Sequence, residues 1–244
     1  MKRLFRSVFR ALNLDIAGFD PRFHAPARKL HLLQSLKLNA FLDIGANQGQ
    51  FGGWLRGNGW RCPIHSFEPG SRAFAALELR ADGDPKWFVH KLAVGSASGS
   101  LELHVSQDSF SSSFKAPTPT NLAAHPAVGT DFSELVEVKT LDEIRRDLVP
   151  SASSFALKID VQGHESEVLA GATESIRDCK LLIVELSLKE LYQGQKLLHE
   201  LLPTIYGHGF YLTVIEPCHE DTARFETLQV DAWFLQKASH ASGR

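Results

Sequence analysis

The sequence predicts an α/β fold, an open and mostly parallel sheet with helices on both faces. Three observations predict it. Short apolar runs alternate with stretches of helical spacing along most of the chain. The chain has 244 residues, 43% hydrophobic and 22% charged, enough to bury a sizeable core without disulfide or metal staples. A glycine-rich turn follows the first strong apolar run, where a parallel sheet passes from strand to helix.

Taken in order, residues 1–38 read as a helical extension, broken near residues 18–21. Residues 39–238 read as one doubly wound domain and 239–244 as a flexible tail. Residues 40–44 form a short apolar run, predicted to be a buried strand, with helix over 50–56. Residues 63–67 are the second strand, 71–80 the next helix and 87–94 the third strand. Residues 101–105 alternate like a half-exposed strand, and 135–138 can pair with them. Between these lies a Ser-, Pro- and Thr-rich stretch, 109–130, predicted to be an active-site loop. Alternation resumes with strand 155–160, helix 165–177, strand 181–185 and helix 195–206. Strands 210–215 and 232–235 close the domain.

Charge and composition exclude several classes. Lys and Arg total 26 against 28 Asp and Glu, a net −2, which lacks the basic excess of a general nucleic-acid binder. The three cysteines, Cys62, Cys179 and Cys218, are far apart and form no CxxC, so a reducing cytosol fits and no functional role is assigned to them. No run approaches the ~18 apolar residues of a membrane span. Leu4, Phe5, Val8, Phe9 and Leu12 recur at helical spacing among Lys2, Arg3, Arg6 and Arg10. That stretch reads as a short docking helix. The alternative is weak peripheral attachment of a cytoplasmic protein to the inner membrane face.

The strongest local signal is Asp43-Ile44-Gly45-Ala46-Asn47-Gln48-Gly49-Gln50. Gly45 and Gly49 allow a sharp turn and close ligand approach, and the following helix offers unpaired N–H groups. Asn47 stands where a dinucleotide fingerprint has its second glycine, which disfavours a pyrophosphate. Asp43 suits a ligand with a cationic amino-acid tail, such as S-adenosylmethionine. Glu68, in Phe67-Glu68-Pro69, can accept both hydroxyls of an adenosine ribose. Ala93, late in the third strand, joins these as a cofactor-binding candidate.

These residues resemble the FkbM family of S-adenosylmethionine-dependent methyltransferases. The matching stretches are 41–51, 66–69, 105–113, 157–165, 184–187, 191–195 and 229–231, in family order over about residues 40–236. The resemblance implies a Rossmann-like class I methyltransferase fold, seven-stranded and mostly parallel with an antiparallel last strand. It also implies methyl transfer to a hydroxyl oxygen, typically of a sugar or polyketide. His164 and Asp108 depart from the family pattern, which more commonly has Tyr and Asn there.

Methylating an alcohol requires alignment and removal of the hydroxyl proton. Lys158-Ile159-Asp160-Val161-Gln162-Gly163-His164-Glu165 is the candidate catalytic segment. Asp160 is the first choice of base, Glu165 and His164 assist, and Lys158 can pair with Asp160 or Glu185. Ser109, Ser111, Ser112, Glu185 and Tyr192 are substrate-side candidates, facing a small-molecule or glycan acceptor. A magnesium ion on Asp160, Glu165 and Glu185 is the less favoured alternative. Two rival readings remain: an NAD-dependent oxidoreductase on the same fold type, and a non-catalytic S-adenosylmethionine-binding partner in a glycan-assembly complex.

Overall fold

The computed structural model describes residues 19–149 and 153–237. The basic amphipathic stretch 1–12 and the tail 239–244 lie outside the described residues. The described residues divide into two units, residues 19–35 and Leu36 onward. The helix of the first, α1 (Ala25–Ser35), is preceded by a turn in which Arg28 donates to Pro21 O and Arg22 O.

The second unit is built on a seven-stranded sheet. Its strands are β1 (Ala40–Ile44), β2 (Ile64–Phe67), β3 (Trp87–His90), β7 (Phe155–Ile159), β8 (Cys179–Ser187), β9 (Phe210–Asp221) and β10 (Glu226–Gln236), in spatial order β3-β2-β1-β7-β8-β10-β9. The first five run parallel, and β10 is antiparallel to both β8 and β9. Every residue of β1, β2 and β7 is buried, which is why β1 and β7 read as mostly apolar runs, broken by Asp43 and Lys158, rather than alternating ones. Leu42, Ile44, Leu157, Ile159, Leu182, Val184 and Phe234 contribute to one continuous core. The strand order reverses at β1, so the carboxyl ends of β1 and β7 border the crevice where open α/β sheets bind ligands.

Helices α2 (Gln50–Gly57) and α3 (Ser71–Ala81) connect the first three strands, as expected. The expected third strand divides. β3 stays in the large sheet, whereas β4 (Ala93–Val94) joins a second sheet with β6 (Thr130–Lys139) and β5 (Gly99–Ser106). A tight turn, Leu92 N to His90 O at 2.9 Å, separates the two. Residues 101–105 and 135–138 do pair, with Leu101 opposite Val136.

Segment 109–130 is not a bare loop. It contains helix α4 (Pro119–Ala124), with Pro119 in its first turn and the Thr118 hydroxyl accepting from Asn121 N, and a 3-10 turn, Pro126–Val128. Helix α5 (Leu141–Leu148), absent from the expectations, opens with a reciprocal capping box between Thr140 and Glu143. The helix expected over 165–177 stops early, as α6 (Glu165–Ala170). At Gly171 a side chain would lie 2.0 Å from the Gly95 carbonyl oxygen, and the chain turns into a 3-10 segment, Ser175–Asp178. Helix α7 (Leu198–Gly207) starts three residues later than expected. The Gln195 side chain is spent earlier, accepting from Leu191 N and Tyr192 N. The closing strands are longer than expected, 12 and 11 residues, and carry irregularities near Gln229 and Trp233. Among the described residues no helix is long and apolar enough to cross a membrane.

Candidate active site

The turn after β1 is tied into both neighbouring strands. Gly45 N and Ala46 N donate to Phe67 O, and Asp160 N donates to Ile44 O at 3.0 Å. Gly45 has φ +78°, and a Cβ there would stand 1.8 Å from the Asp160 carbonyl oxygen. Only glycine lets the loops after β1 and β7 come this close. Gly49, φ +77°, caps α2 and packs toward Trp87 and Leu77.

Above these loops lies a cavity of about 500 Å³. One end is formed by Gly45, Asn47, Glu68 and Pro69, with Leu92, Ala93, Val94 and Leu103 as an apolar wall. Asn47 N and Gly70 N donate to the two oxygens of Glu68, at 2.9 and 2.8 Å, and so fix its carboxylate. Burial pushes the Glu68 carboxyl up to about 7 against those amides. Asn47 Oδ1 is buried and accepts no hydrogen bond.

The floor is electrostatically dense. Lys158 Nζ lies 2.8 Å from Asp160 Oδ2, 3.9 Å from Asp43 Oδ1 and 5.5 Å from the Phe51 ring centre. Burial disfavours its ammonium, but Asp160 and Asp43 outweigh this and hold its pKa above the usual range. Asp43 is fully buried, and burial pushes its carboxyl up to about 6 although Lys158 opposes this. It lies behind the cavity wall, so the cationic tail expected to meet it would feel its field through Lys158 and the wall rather than touch it.

On the far side, the Gln162 amide donates to Asp160 Oδ1 (2.9 Å) and Glu185 Oε2 (2.8 Å). Gln229 Nε2 donates to the same Glu185 oxygen at 2.7 Å, and the Cys218 thiol reaches Oε1 at 3.6 Å. Asp231 lies directly opposite Glu185 across the β8–β10 ladder. Burial raises Asp160, yet Lys158 and Gln162 hold it below the usual carboxylate range. Burial, then Asp160, Glu165 and Asp231, push Glu185 well above that range.

The serine loop borders the cavity with Ser109, Phe110, Ser111 and Ser112. Its organiser is Asp108, which accepts from Ser106 Oγ, Phe110 N, Ser111 N, Ser111 Oγ and His125 Nε2. Ser109 adopts φ +62° and its hydroxyl accepts from Gln48 Nε2. Ser112 Oγ accepts from Ser106 N. The nearly inaccessible Tyr192 places its hydroxyl 3.0 Å from both Ser111 O and Gln162 Oε1.

The structure thus brings Gly45, Asn47, Glu68, Ala93, Lys158, Asp160, Glu185, Tyr192 and the three serines to one cavity. His164 and Glu165 are not on its wall. His164 packs against the Phe114 ring with Nδ1 3.7 Å from Glu167, and burial lowers its pKa. Glu165 Oε1 accepts from Val161 N and Gly163 N and so closes its own loop. With Glu165 turned inward, only Asp160 and Glu185 of the three carboxylates expected to hold a magnesium ion border the cavity. Residues given no role from sequence do line it: Gln162, Asn121, Cys218, His219, Gln229 and Asp231. Gln162, Gln229 and Asp231 stood in the stretches that carried the resemblance; Cys218 and His219 gave no local signal.

A parallel sheet wound in this order, with one antiparallel strand set between its last two parallel ones, has the Rossmann-like architecture of class I methyltransferases that the resemblance implies. A family model described as the methyltransferase FkbM domain matches residues 43–212, and the chain belongs to that family. A curated relative, the 2-O-methyltransferase NoeI of Sinorhizobium fredii, is 27% identical over 168 residues, which cover 66% of this chain and 68% of NoeI. Similar solved structures include a putative S-adenosylmethionine-dependent methyltransferase from Listeria monocytogenes, with TM-score 0.47 and 9% identity over 87% of this chain and 99% of that one. Another is Sp1610 of Streptococcus pneumoniae, a putative tRNA methyltransferase in complex with S-adenosyl-L-methionine, with TM-score 0.46 and 14% identity over 86% and 72% of the two chains.

Proposed function

We propose that the protein methylates a hydroxyl oxygen of a sugar, glycan or other polyhydroxylated metabolite, with S-adenosylmethionine as donor. The observation that carries the reading is the single cavity joining Glu68 and Asn47 to a wall of carboxylates, amides and hydroxyls. The residues present fit the donor. Glu68, fixed by two amides, keeps lone pairs for vicinal ribose hydroxyls, and Asn47 Oδ1 is a buried acceptor with no partner. The apolar wall suits a planar base. Asp43, Glu68, Asp160, Glu185 and Asp231 outnumber Lys158, which favours a cationic ligand. The bound donor supplies an electrophilic methyl carbon on a cationic sulfur.

The chain's own residues then align the acceptor and receive its proton. Phe51, Trp54, Phe110 and Phe114 help exclude water, while the serine loop, Asn121 and Tyr192 offer polar contacts to a polyol. The relative NoeI is a 2-O-methyltransferase, which supports oxygen as the accepting atom. Membership in a methyltransferase family removes the NAD-dependent reading. The test is incubation with isotopically labelled S-adenosylmethionine and a panel of methyl glycosides, with and without chelator, followed by mass spectrometry. A methyl ether on a glycoside is expected. Cofactor binding without transfer to any hydroxyl compound would favour the non-catalytic partner instead.

A further inference from the structure

We propose that Glu185, rather than Asp160, is the catalytic residue that takes up the acceptor's hydroxyl proton, with Gln162 and Gln229 as its positioning residues. This deepens the O-methyl transfer reading and rests on it.

The geometry distinguishes the two carboxylates. Both oxygens of Asp160 are engaged by strong donors, the Lys158 ammonium on Oδ2 and the Gln162 amide on Oδ1. An ion-paired carboxylate of this kind is a weak base. Glu185 has two amide donors on Oε2, whereas Oε1 meets the thiol of Cys218, a weak donor. Glu185 and Cys218 both line the cavity. The surroundings of Glu185 are mostly anionic or neutral: Asp160 and Glu165 after β7, Asp231 from β10, Cys218 from β9 and Tyr192 after β8, with Lys158 the opposing cation. Asp160 and Glu185 are neighbours, and because Lys158 favours ionised Asp160, a proton shared by the two sits more readily on Glu185.

Gln162 fixes this arrangement. Its Oε1 faces the Tyr192 hydroxyl, which directs its NH₂ to both carboxylates, and it holds φ +51°, unusual for a residue with a side chain. When a sulfonium cation enters, the proton on Glu185 leaves to solvent. The acceptor O–H then gives its proton to Glu185 while its oxygen forms a bond to the methyl carbon. The carbon–sulfur bond breaks, and its electron pair remains on sulfur as a neutral thioether.

The experiment counts protons released at pH 7 by calorimetry in buffers of different ionisation heat. The ligands are S-adenosylmethionine, a sulfonium, and S-adenosylhomocysteine, a thioether. Wild type is expected to release several tenths of a proton more with the sulfonium, and Glu185→Gln to lose most of that excess, keeping only the share of Asp43 and Glu68, while still binding both ligands. An equal excess in Glu185→Gln, or none in wild type, overturns the proposal. Should Glu185→Gln fail to bind, Gln162→Ala serves instead. It keeps Glu185 and so should retain an excess, and loss of that excess counts against Glu185 as the carrier. On a methyl glycoside that wild type methylates, Glu185→Gln should lose about 10²–10⁴-fold in kcat together with the acidic limb of the pH profile. Conversely, Asp160→Asn should retain that limb. If wild type methylates no glycoside, the O-methyl transfer reading fails, whereas the proton count still decides the part played by Glu185.

Discussion

Gly45 and Glu68 show how much of the site hangs on single residues. At Gly45 an alanine methyl would meet a backbone carbonyl that cannot rotate away, in a conformation already costing about 1–2 kcal/mol for an L-residue. Gly45→Ala is therefore expected to lower stability by at least ~3 kcal/mol, or to displace the loop after β7, as read by chemical denaturation and cofactor affinity together. Retention of both would mean the two loops are not coupled. Glu68→Ala should remove one or two charge-assisted hydrogen bonds, each about 1.5–3 kcal/mol, and weaken S-adenosylmethionine binding at least about tenfold by calorimetry. Tighter discrimination comes from Glu68→Gln, which keeps the shape and should recover part of the loss.

At the scale of elements, β2 and β3 share an imidazole pair, His65 buried and His90 half-buried. His65 Nδ1 lies 3.2 Å from His90 Nε2, and the rings stack with Phe88 and Phe67. Burial, then His90, bring the His65 pKa down to about 4. The folded state thus binds fewer protons than the unfolded chain between those values. This contribution is fully present above about 6.5 and is lost as pH falls toward about 4, up to about 3 kcal/mol. Denaturant titrations across that window should show the loss in wild type and a flatter profile in the His65→Phe/His90→Phe double variant; parallel profiles would remove the pair from acid sensitivity. For α5, Thr140→Ala opens the capping box and is expected to cost about 1 kcal/mol by the same method, without altering cofactor affinity.

Over the whole molecule, the acidic cavity sets how stability responds to ligand. Asp43 is raised to about 6 and Glu68 to about 7, burial being the first cause for both. A raised carboxyl binds more protons folded than unfolded, so the free protein loses this stability as pH rises from about 4 through those values. A bound cation favours the ionised carboxylates. The melting temperature gained with saturating S-adenosylmethionine should therefore grow between about pH 5.5 and 8, and more steeply than with S-adenosylhomocysteine. Equal slopes for the two ligands would show that the cavity does not respond to the sulfonium charge.

The sheet and the cofactor end were legible in the sequence because their causes are local. Continuous apolar runs mark strands buried on both faces, and the Gly45–Gly49 turn and Glu68 follow directly from strand ends. Even α5 carries a local sign, Thr140 three residues before Glu143. The catalytic side was decided by tertiary structure. Asp160 and Glu165 are five residues apart, yet one lines the cavity and the other turns into its own loop. Gln162, Glu185, Cys218, Gln229 and Asp231 come from three strands and a loop, and only the pairing β8-β10-β9 sets them side by side. The physical reason is that a carboxylate's basicity depends on which donors and charges surround it. Those neighbours come from distant parts of the chain, fixed by strand register rather than by any spacing along it.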